Sequence, residues 1–388
     1  MELVAPAGGM EQLQMAVHFG ADAVYLSGKH WGMRAGAKNF SDEELAQAVG
    51  VAHEAGTRVY VAANVLMHDE DLEPDALPAF FAQAAEMGVD GCIVSDLGAL
   101  ACARESAPSV ELHLSTQASC MNARAACEYA RLGVSRIVLA REMTIEQIAA
   151  LRRAVPRELG LEAFVHGSVC MAYSGRCLLS AELMGPERSA NAGACAQPCR
   201  WGWELADERE PSRRIGIETD ERGSYLLSSN DLNMLEHLVE LEAAGVDAIK
   251  IEGRSKGSYY VACVTNAYRH VLDGCVPEPW ASELELVSHR PYSTGFYYGE
   301  PTQNPGRVDY ARERRLIGVV RACSPCEDGL WEAEVECRNR ALAPCTLDVL
   351  SPGYDVRHVA LTSDLITNGA TYRLDLPFPV LPLDIMCE

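Results

Sequence analysis

The chain has 388 residues, 48% of them hydrophobic, which is more than one ordinary domain requires and excludes a disordered or collagen-like polymer. Its 33 basic and 55 acidic residues leave a formal charge of -22, so a nucleic-acid partner requires a local basic surface. No run of about 18 apolar residues is present to cross a bilayer, and the opening MELVAPAG lacks the basic head and apolar stretch of a secretory leader, so the expectation is a cytoplasmic protein with no membrane partner.

From the N-terminus, short apolar runs alternate with Ala/Leu/Glu-rich stretches of helical spacing. Strands are predicted at 3–5, 23–26, 58–62, 91–95, 111–115, 136–140, 161–165 and 248–252. Helices lie between them, among them 41–55 and 144–155, where Ser41 with Glu44 and Thr144 with Gln147 form capping boxes. The segments EAGTRVYV, EMGVDGCIV, RLGVSRIVL and AAGVDAIKI each read as a helix, a glycine stop and a buried parallel strand. Eight such units, with no G-x-G-x-x-G after the first strand, favour a closed (β/α)8-type barrel of the TIM kind over a doubly wound sheet. A barrel puts its chemistry where the strands end, which nominates Arg34, Asn64, Asp96, Gln117, Arg141, His166, Lys250, Glu252 and Arg254. Lys250 and Glu252 alternate with Ile249 and Ile251, so both side chains should point into the barrel, and a buried Lys–Glu pair is seldom present for stability alone.

The βα rhythm stops in an irregular insertion at 167–226, and the barrel is expected to span 1–280. A basic, aromatic linker follows at 281–315. Within it Arg290, Arg307, Arg312, Arg314 and Arg315 outnumber Glu300, Asp309 and Glu313, interleaved with Tyr292, Phe296, Tyr297, Tyr298 and Tyr310, a composition suited either to gripping single-stranded RNA or to packing the linker onto both domains. Residues 316–388 read as short strands between turns, a small C-terminal β-barrel domain.

Fifteen cysteines, an odd number without an export leader, point away from a disulfide framework and toward metal binding or reactive thiols. Four of them, Cys170, Cys177, Cys195 and Cys199, are spaced C-x6-C-x17-C-x3-C inside the insertion, flanked by Ser, Gly, Arg and Pro. Four thiolates suit zinc or an iron–sulfur cluster, and because only the last pair has a zinc-knuckle spacing, the pattern favours iron–sulfur. Cys323, Cys326, Cys337 and Cys345 form a second, weaker set, in which Cys337 lies in an alternating strand as a core residue would.

The blocks EAFVHGSVCMAYSGRCLLS (162–180), GACAQPCRW (193–201), DAIKIEGRSKGSYYVACVTNAYR (247–269) and STGFYYGE (293–300) resemble the motifs of the collagenase-like peptidase family U32. ELVAPAGG and ADAVYLS are similar to the opening of that family, so the resemblance covers nearly the whole chain. It implies more than the family name states, because members include oxygen-independent hydroxylases that hold a 4Fe-4S cluster on four cysteines. Their branches act on tRNA, on ribosomal RNA or on the ubiquinone ring. The tRNA branch makes 5-hydroxyuridine at the wobble position, with prephenate as the implied hydroxyl source. Cys170, Cys177 and Cys195 match the first three cluster ligands. Cys199 is assigned as the fourth, because where some members carry a later cysteine this chain has NDLN with Asn233.

For a dicarboxylate such as prephenate the site needs cations, and the rim supplies Arg34, Arg141, Lys250 and Arg254. Arg141, His166, Lys250 and Glu252 are therefore the expected catalytic residues, with His166 as a proton donor or a helix cap. Arg34, Asn64, Gln117 and Arg254 are the expected substrate-binding residues. The reading is oxygen-independent hydroxylation of an RNA base, the wobble uridine of tRNA with prephenate as donor, with a ribosomal RNA cytidine as the alternative; an RNA hydroxylase admits an electron carrier and a family paralogue as further partners. Two competitors stand beside it: a peptidase, in which His166 and Cys170 would form a dyad, and an RNA-binding module whose cluster is structural. A peptidase needs an activated nucleophile with a base in reach, and neither G-x-S-x-G nor H-E-x-x-H is present.

Overall fold

The structure is a computed structural model of the chain and describes residues 1–34, 37–169, 177, 179–190, 193–198, 205–207, 210–215, 219–220, 223–224, 230–299 and 313–388. Eight parallel strands form the barrel: β1 (Glu2–Pro6), β2 (Ala23–Leu26), β3 (Arg58–Ala63), β4 (Gly91–Val94), β5 (Glu111–Leu114), β6 (Arg136–Val138), β7 (Gly160–Ser168) and β8 (Ala248–Ile251). They pair in that order, and β8 closes the ring by pairing with both β1 and β7.

Local sequence explains most of these elements. Ser41 accepts from the Glu44 amide at 3.2 Å while Glu44 accepts from the Ser41 amide at 3.0 Å, starting the helix Asp42–Glu54. Thr144 and Gln147 reciprocate in the same way before Ile145–Ala154. The helix stops at Gly56, Gly88, Gly133 and Gly245 all adopt positive φ, which returns the chain to the next buried strand. Asp96, nominated for the rim, is instead the N-cap of Leu97–Ser106, accepting from Gly98 and Ala99.

The helices bury their apolar faces on the outside of the ring, in one cluster that includes Leu13, Phe19, Phe81, Leu114, Leu161 and Tyr268. The interior is unusual for a barrel, where branched aliphatic side chains normally fill the layers. Here Val4, Ala23, Tyr25, Tyr60, Ala62, Ile93 and Ala248 supply only a small apolar cluster. Below it runs a ladder of ion pairs: Lys250 to Glu162 (2.6 Å), Glu162 to Arg136 (3.1 Å) and Arg136 to Glu2 (2.5 Å), with the Tyr60 hydroxyl donating to Glu2 at 2.5 Å.

Strand β7 is longer than the others and carries a bulge, because Phe164 pairs with Lys250 but Ile251 pairs with His166, leaving Val165 over. Beyond the bulge, β7 is flanked by the antiparallel strand Asp231–Asn233, which pairs in parallel with Tyr292–Ser293. The segment expected as a linker thus begins inside the barrel sheet, and the helix Pro277–Glu285 spans the expected boundary at 280. Two of its cations are engaged within the fold, Arg290 being buried and bonded to Asp231 at 2.7 Å and Arg314 buried between Glu283 and Asp348, while Arg315 is exposed beside Glu388. Tyr292 stacks on His289, and Tyr297 donates to the Phe164 carbonyl. Desolvating these side chains is offset by their partners within the fold, so Arg290, Arg314, Tyr292 and Tyr297 serve packing, whereas Tyr298 is exposed. Arg307, Tyr310 and Arg312 lie outside the described residues.

The C-terminal strands Leu316–Pro325, Trp331–Cys337, Cys345–Leu350, Arg357–Leu361, Thr371–Leu376 and Ile385–Cys387 form one antiparallel sheet. It curls as a small barrel around Ile317, Val320, Val335, Leu347, Val349 and Met386. Cys337 is fully buried in that core, and among the described residues no three His, Cys, Asp or Glu side chains gather as an ion site, so the second cysteine set does not converge. Among the described residues no helix is long and apolar enough to cross a membrane.

Candidate active site

A cavity of about 130 Å³ opens where the barrel strands end. Its floor is Ala62, Ile93, Val138 and Phe164, and its walls carry Tyr25, Arg34, Asn64, Gln117, Arg141, Lys250, Glu252 and Arg254. Cys177 and Cys195, from the insertion after β7, line the same cavity. Nine of the twelve residues expected from sequence therefore meet in one place. Cys170 and Cys199 lie outside the described residues, and His166 is not among the residues lining the cavity.

Lys250 points inward from β8 and is 3% exposed. Its ammonium binds Glu162 at 2.6 Å and lies 4.3 Å from the centre of the Tyr25 ring. Burial lowers the pKa of the amine, and Glu162 opposes that shift. The expected Lys250–Glu252 pair is therefore not formed. Glu252 instead accepts from Arg34 through Nε at 3.2 Å and Nη2 at 3.0 Å, and lies 4.0 Å from Arg141. Burial alone would raise the Glu252 carboxyl, but Arg34, Arg141 and Arg254 hold it down at about 2. The Tyr25 hydroxyl donates to the Glu252 carboxylate at 3.3 Å and to the Ile251 carbonyl at 3.1 Å.

Arg34 adopts a φ of +83°, a conformation that costs a side-chain-bearing residue roughly 1–3 kcal/mol. Asn64 supports its loop, accepting from the Met33 amide at 3.0 Å and donating to Ser115 at 3.1 Å. Arg141 donates to the Ser168 carbonyl at 2.8 Å, and its guanidinium lies 3.9 Å from the centre of the Phe164 ring. Two buried guanidinium N–H groups, Arg141 Nε and Arg254 Nη1, have no hydrogen-bond partner among the described residues. A buried donor left so costs about 1–3 kcal/mol, which an incoming carboxylate would relieve.

His166 was expected at the rim, but the bulge at Val165 reverses the inward alternation and turns it to the helix layer. There it is 1% exposed, among Tyr260, Tyr268 and Tyr292, and burial lowers its pKa to about 3. A neutral imidazole outside the cavity is not a proton donor for chemistry inside it.

Tyr25 and Glu162 escaped the sequence reading. Each carried a usable signal: Tyr25 shares parity with Ala23 on β2, and Glu162 is the one charged residue in the apolar run LEAFV at 161–165.

The donor chemistry fits a thiolate-bound metal group. Cys177 and Cys195 share one cavity, and the Cys195 sulfur accepts the Gln197 amide at 3.3 Å, the type of hydrogen bond that tunes cluster sulfurs. Gly193, at φ +77°, brings this segment onto the barrel, since a Cβ there would stand 2.8 Å from the Gly32 carbonyl.

A family model described as Peptidase family U32 matches residues 8–306. The tRNA hydroxylation protein P1 of Bacillus subtilis (strain 168) is 37% identical, over 77% of this chain and 71% of that protein. The 23S rRNA 5-hydroxycytidine C2501 synthase of Escherichia coli (strain K12) is also 37% identical, over 86% of this chain and 48% of that longer protein. A protein named Collagenase from Porphyromonas gingivalis is 34% identical over 99% of this chain and 96% of its own length. With most of its length matched by the family model, and with relatives at this identity aligned along more than two thirds of it, the chain belongs to peptidase family U32.

Proposed function

We propose that this chain hydroxylates an RNA base without molecular oxygen, with the wobble uridine of tRNA as substrate and prephenate as hydroxyl donor. The observation that carries the reading is one cavity in which two insertion thiols face four cations. Relatives named for tRNA hydroxylation and for ribosomal RNA hydroxycytidine synthesis support the reaction class.

Cys170, Cys177, Cys195 and Cys199 would hold a 4Fe-4S cluster, which when bound supplies the redox chemistry of the transfer. The protein's own part is to bind and orient. The unpartnered N–H groups of Arg141 and Arg254 would take the carboxylates of the donor. Lys250, its head fixed by Glu162, adds positive charge from the cavity wall. Glu252 stays ionised and keeps Arg34 and Arg141 aligned, while Ala62, Ile93, Val138 and Phe164 keep the floor dry.

The test is anaerobic purification with iron and sulfide quantitation, then incubation with unmodified tRNA and prephenate and nucleoside mass spectrometry. Arg141→Ala and Arg254→Ala are each expected to lower 5-hydroxyuridine formation by roughly 10- to 100-fold, the worth of a charged hydrogen bond. Iron-free protein that cleaves peptides and leaves tRNA unchanged would overturn the reading.

The relative named Collagenase raises a peptidase reading. The hydroxyls lining the cavity do not support it: Ser115 accepts from Asn64 and from the Gln117 amide, Thr116 donates to the Leu139 carbonyl, and His166 is outside the cavity.

A further inference from the structure

The chain has only four lysines; Lys29 and Lys38 follow β2, Lys250 lies on β8 and Lys256 follows it, so all belong to the two strands that flank β1. Lys250 belongs to the cavity already described. The other three are linked by a line of contacts. Lys29 Nζ donates to the Lys38 carbonyl at 2.7 Å and the Asn39 carbonyl at 3.1 Å. A Cβ on Gly9 would lie 3.3 Å from Lys38 Cδ, and Gln12, one turn along the same helix, donates to the Lys256 carbonyl at 3.4 Å. The turn after β1 is thus wedged between the loop of Lys38 and the loop of Lys256. Lys29 and Lys38 are exposed, and Lys38 lies 3.4 Å from Glu44, in the acidic first turn of the helix Asp42–Glu54.

A second cavity, of about 220 Å³, opens beside Lys256. Ser168, Ser255, Gln197, Lys256 and Arg34 line it, together with Gly253 and Glu252. Arg34 and Glu252 also line the inner cavity, so their ion pair is the partition between the two chambers. The chambers differ in chemistry. The inner one combines an apolar floor with thiols and guanidinium groups, while the outer one is lined by two hydroxyls, an amide and the Lys256 ammonium, which lies 5.1 Å from the centre of the Tyr260 ring, and by the Arg34–Glu252 pair.

We propose that the outer chamber, with Lys256 on its wall and Lys29 and Lys38 on the neighbouring loop, forms the phosphate-binding site for the RNA strand, beside the inner chamber that receives the base. The assignment rests on the RNA reading above and adds where the strand is held. The chain's lysines gather at one rim although its formal charge is -22, so this rim offers ammonium groups to a polyanion. Phosphates held just outside a base-sized cavity fix the register of the strand, and the cavity then selects the base. Of the expected basic linker, Arg290 and Arg314 do not serve this purpose, since both are buried in ion pairs.

The experiment is fluorescence anisotropy of the full-length protein with a labelled anticodon stem-loop, from 50 to 300 mM salt. Each phosphate neutralised adds about 0.7 to the slope of log K against log salt for single strands. The triple variant K29Q/K38Q/K256Q is expected to lose about 2 from that slope and to bind at least tenfold more weakly at low salt. Lys38→Glu alone should weaken binding further than Lys38→Gln, and Arg373→Gln on the β-domain should change neither affinity nor slope. A triple variant with the wild-type slope would place the strand elsewhere and overturn this assignment while leaving the hydroxylase reading intact. Wild-type protein that binds no RNA at any salt would overturn both.

Discussion

Glu252 and Glu162 show how single side chains set the state of the cavity. Burial would raise both carboxyls, yet Arg34, Arg141 and Arg254 hold Glu252 at about 2, and Lys250 with Arg136 and His113 hold Glu162 at about 2. A carboxyl with a depressed folded pKa contributes stability that is fully present above its unfolded value, near 4.5, and is lost as pH falls toward 2. Each is worth on the order of 3 kcal/mol at neutral pH. Thermal melts should therefore be flat from pH 7 to 5 and fall steeply below 4.5, and Glu252→Gln should lower the neutral-pH melting point and flatten that fall. Lys250 offers a sharper separation of roles. Lys250→Met leaves Glu162 with a reduced counter-charge and should cost about 3 kcal/mol in chemical denaturation. The double variant K250M/E162Q should recover most of that stability and still fail to modify RNA. Recovery of both would make the lysine structural only.

At the scale of elements, strand β7 does more than complete the ring. Its bulge at Val165 delivers Phe164 to the cavity and His166 to the helix layer, where Tyr268 and Tyr292 lie 3.4 and 3.5 Å from the two ring nitrogens. His166→Gln is accordingly expected to cost about 1 kcal/mol of stability through weakened contacts, to keep modification within about threefold of wild type, and to leave the pH–rate profile between 6 and 8 unchanged. A hundredfold loss with an altered profile would return His166 to the catalytic set. The insertion depends on a different local device, the positive φ of Gly193 against the Gly32 carbonyl. Gly193→Ala should push the Cys195 segment off the mouth, so that iron per chain falls while the barrel melts at its usual temperature.

For the whole molecule, the β-domain is not a detachable appendage. Val319, Leu350, Ile385 and Cys387 belong to the same apolar cluster as the barrel helices. His18 binds Asp384 at 2.8 Å, Arg338 binds Glu11 at 2.7 Å, and Arg314 is shared between Glu283 of the barrel side and Asp348 of the β-domain. An apolar interface with buried ion pairs couples the two units into one cooperative body. Calorimetry should show a single transition for the whole chain, and truncation after residue 313 should yield aggregated protein instead of an isolated barrel. Two separate transitions would mean that the shared core contributes little.

The features legible in the sequence are those that local periodicity encodes. All eight barrel strands, the capping boxes at Ser41 and Thr144, the glycine stops and the strand-end cations follow from a few consecutive residues, because burial period and cap chemistry act over one or two turns. The cysteine spacing singled out the insertion for the same reason. What required the closed ring was the choice of partners. Glu162 meets Lys250 across 88 residues of chain, and Arg34 meets Glu252 across 218, only because β8 returns to lie between β1 and β7. The bulge that removes His166 from the cavity has no local signature, since one extra residue changes parity only relative to a neighbouring strand. The linker arginines read as a basic patch because sequence counts charges, whereas the fold decides which charges Asp231, Glu283 and Asp348 neutralise. Chemistry types are thus written along the chain, while pairing, burial and protonation are set by which strands close against each other.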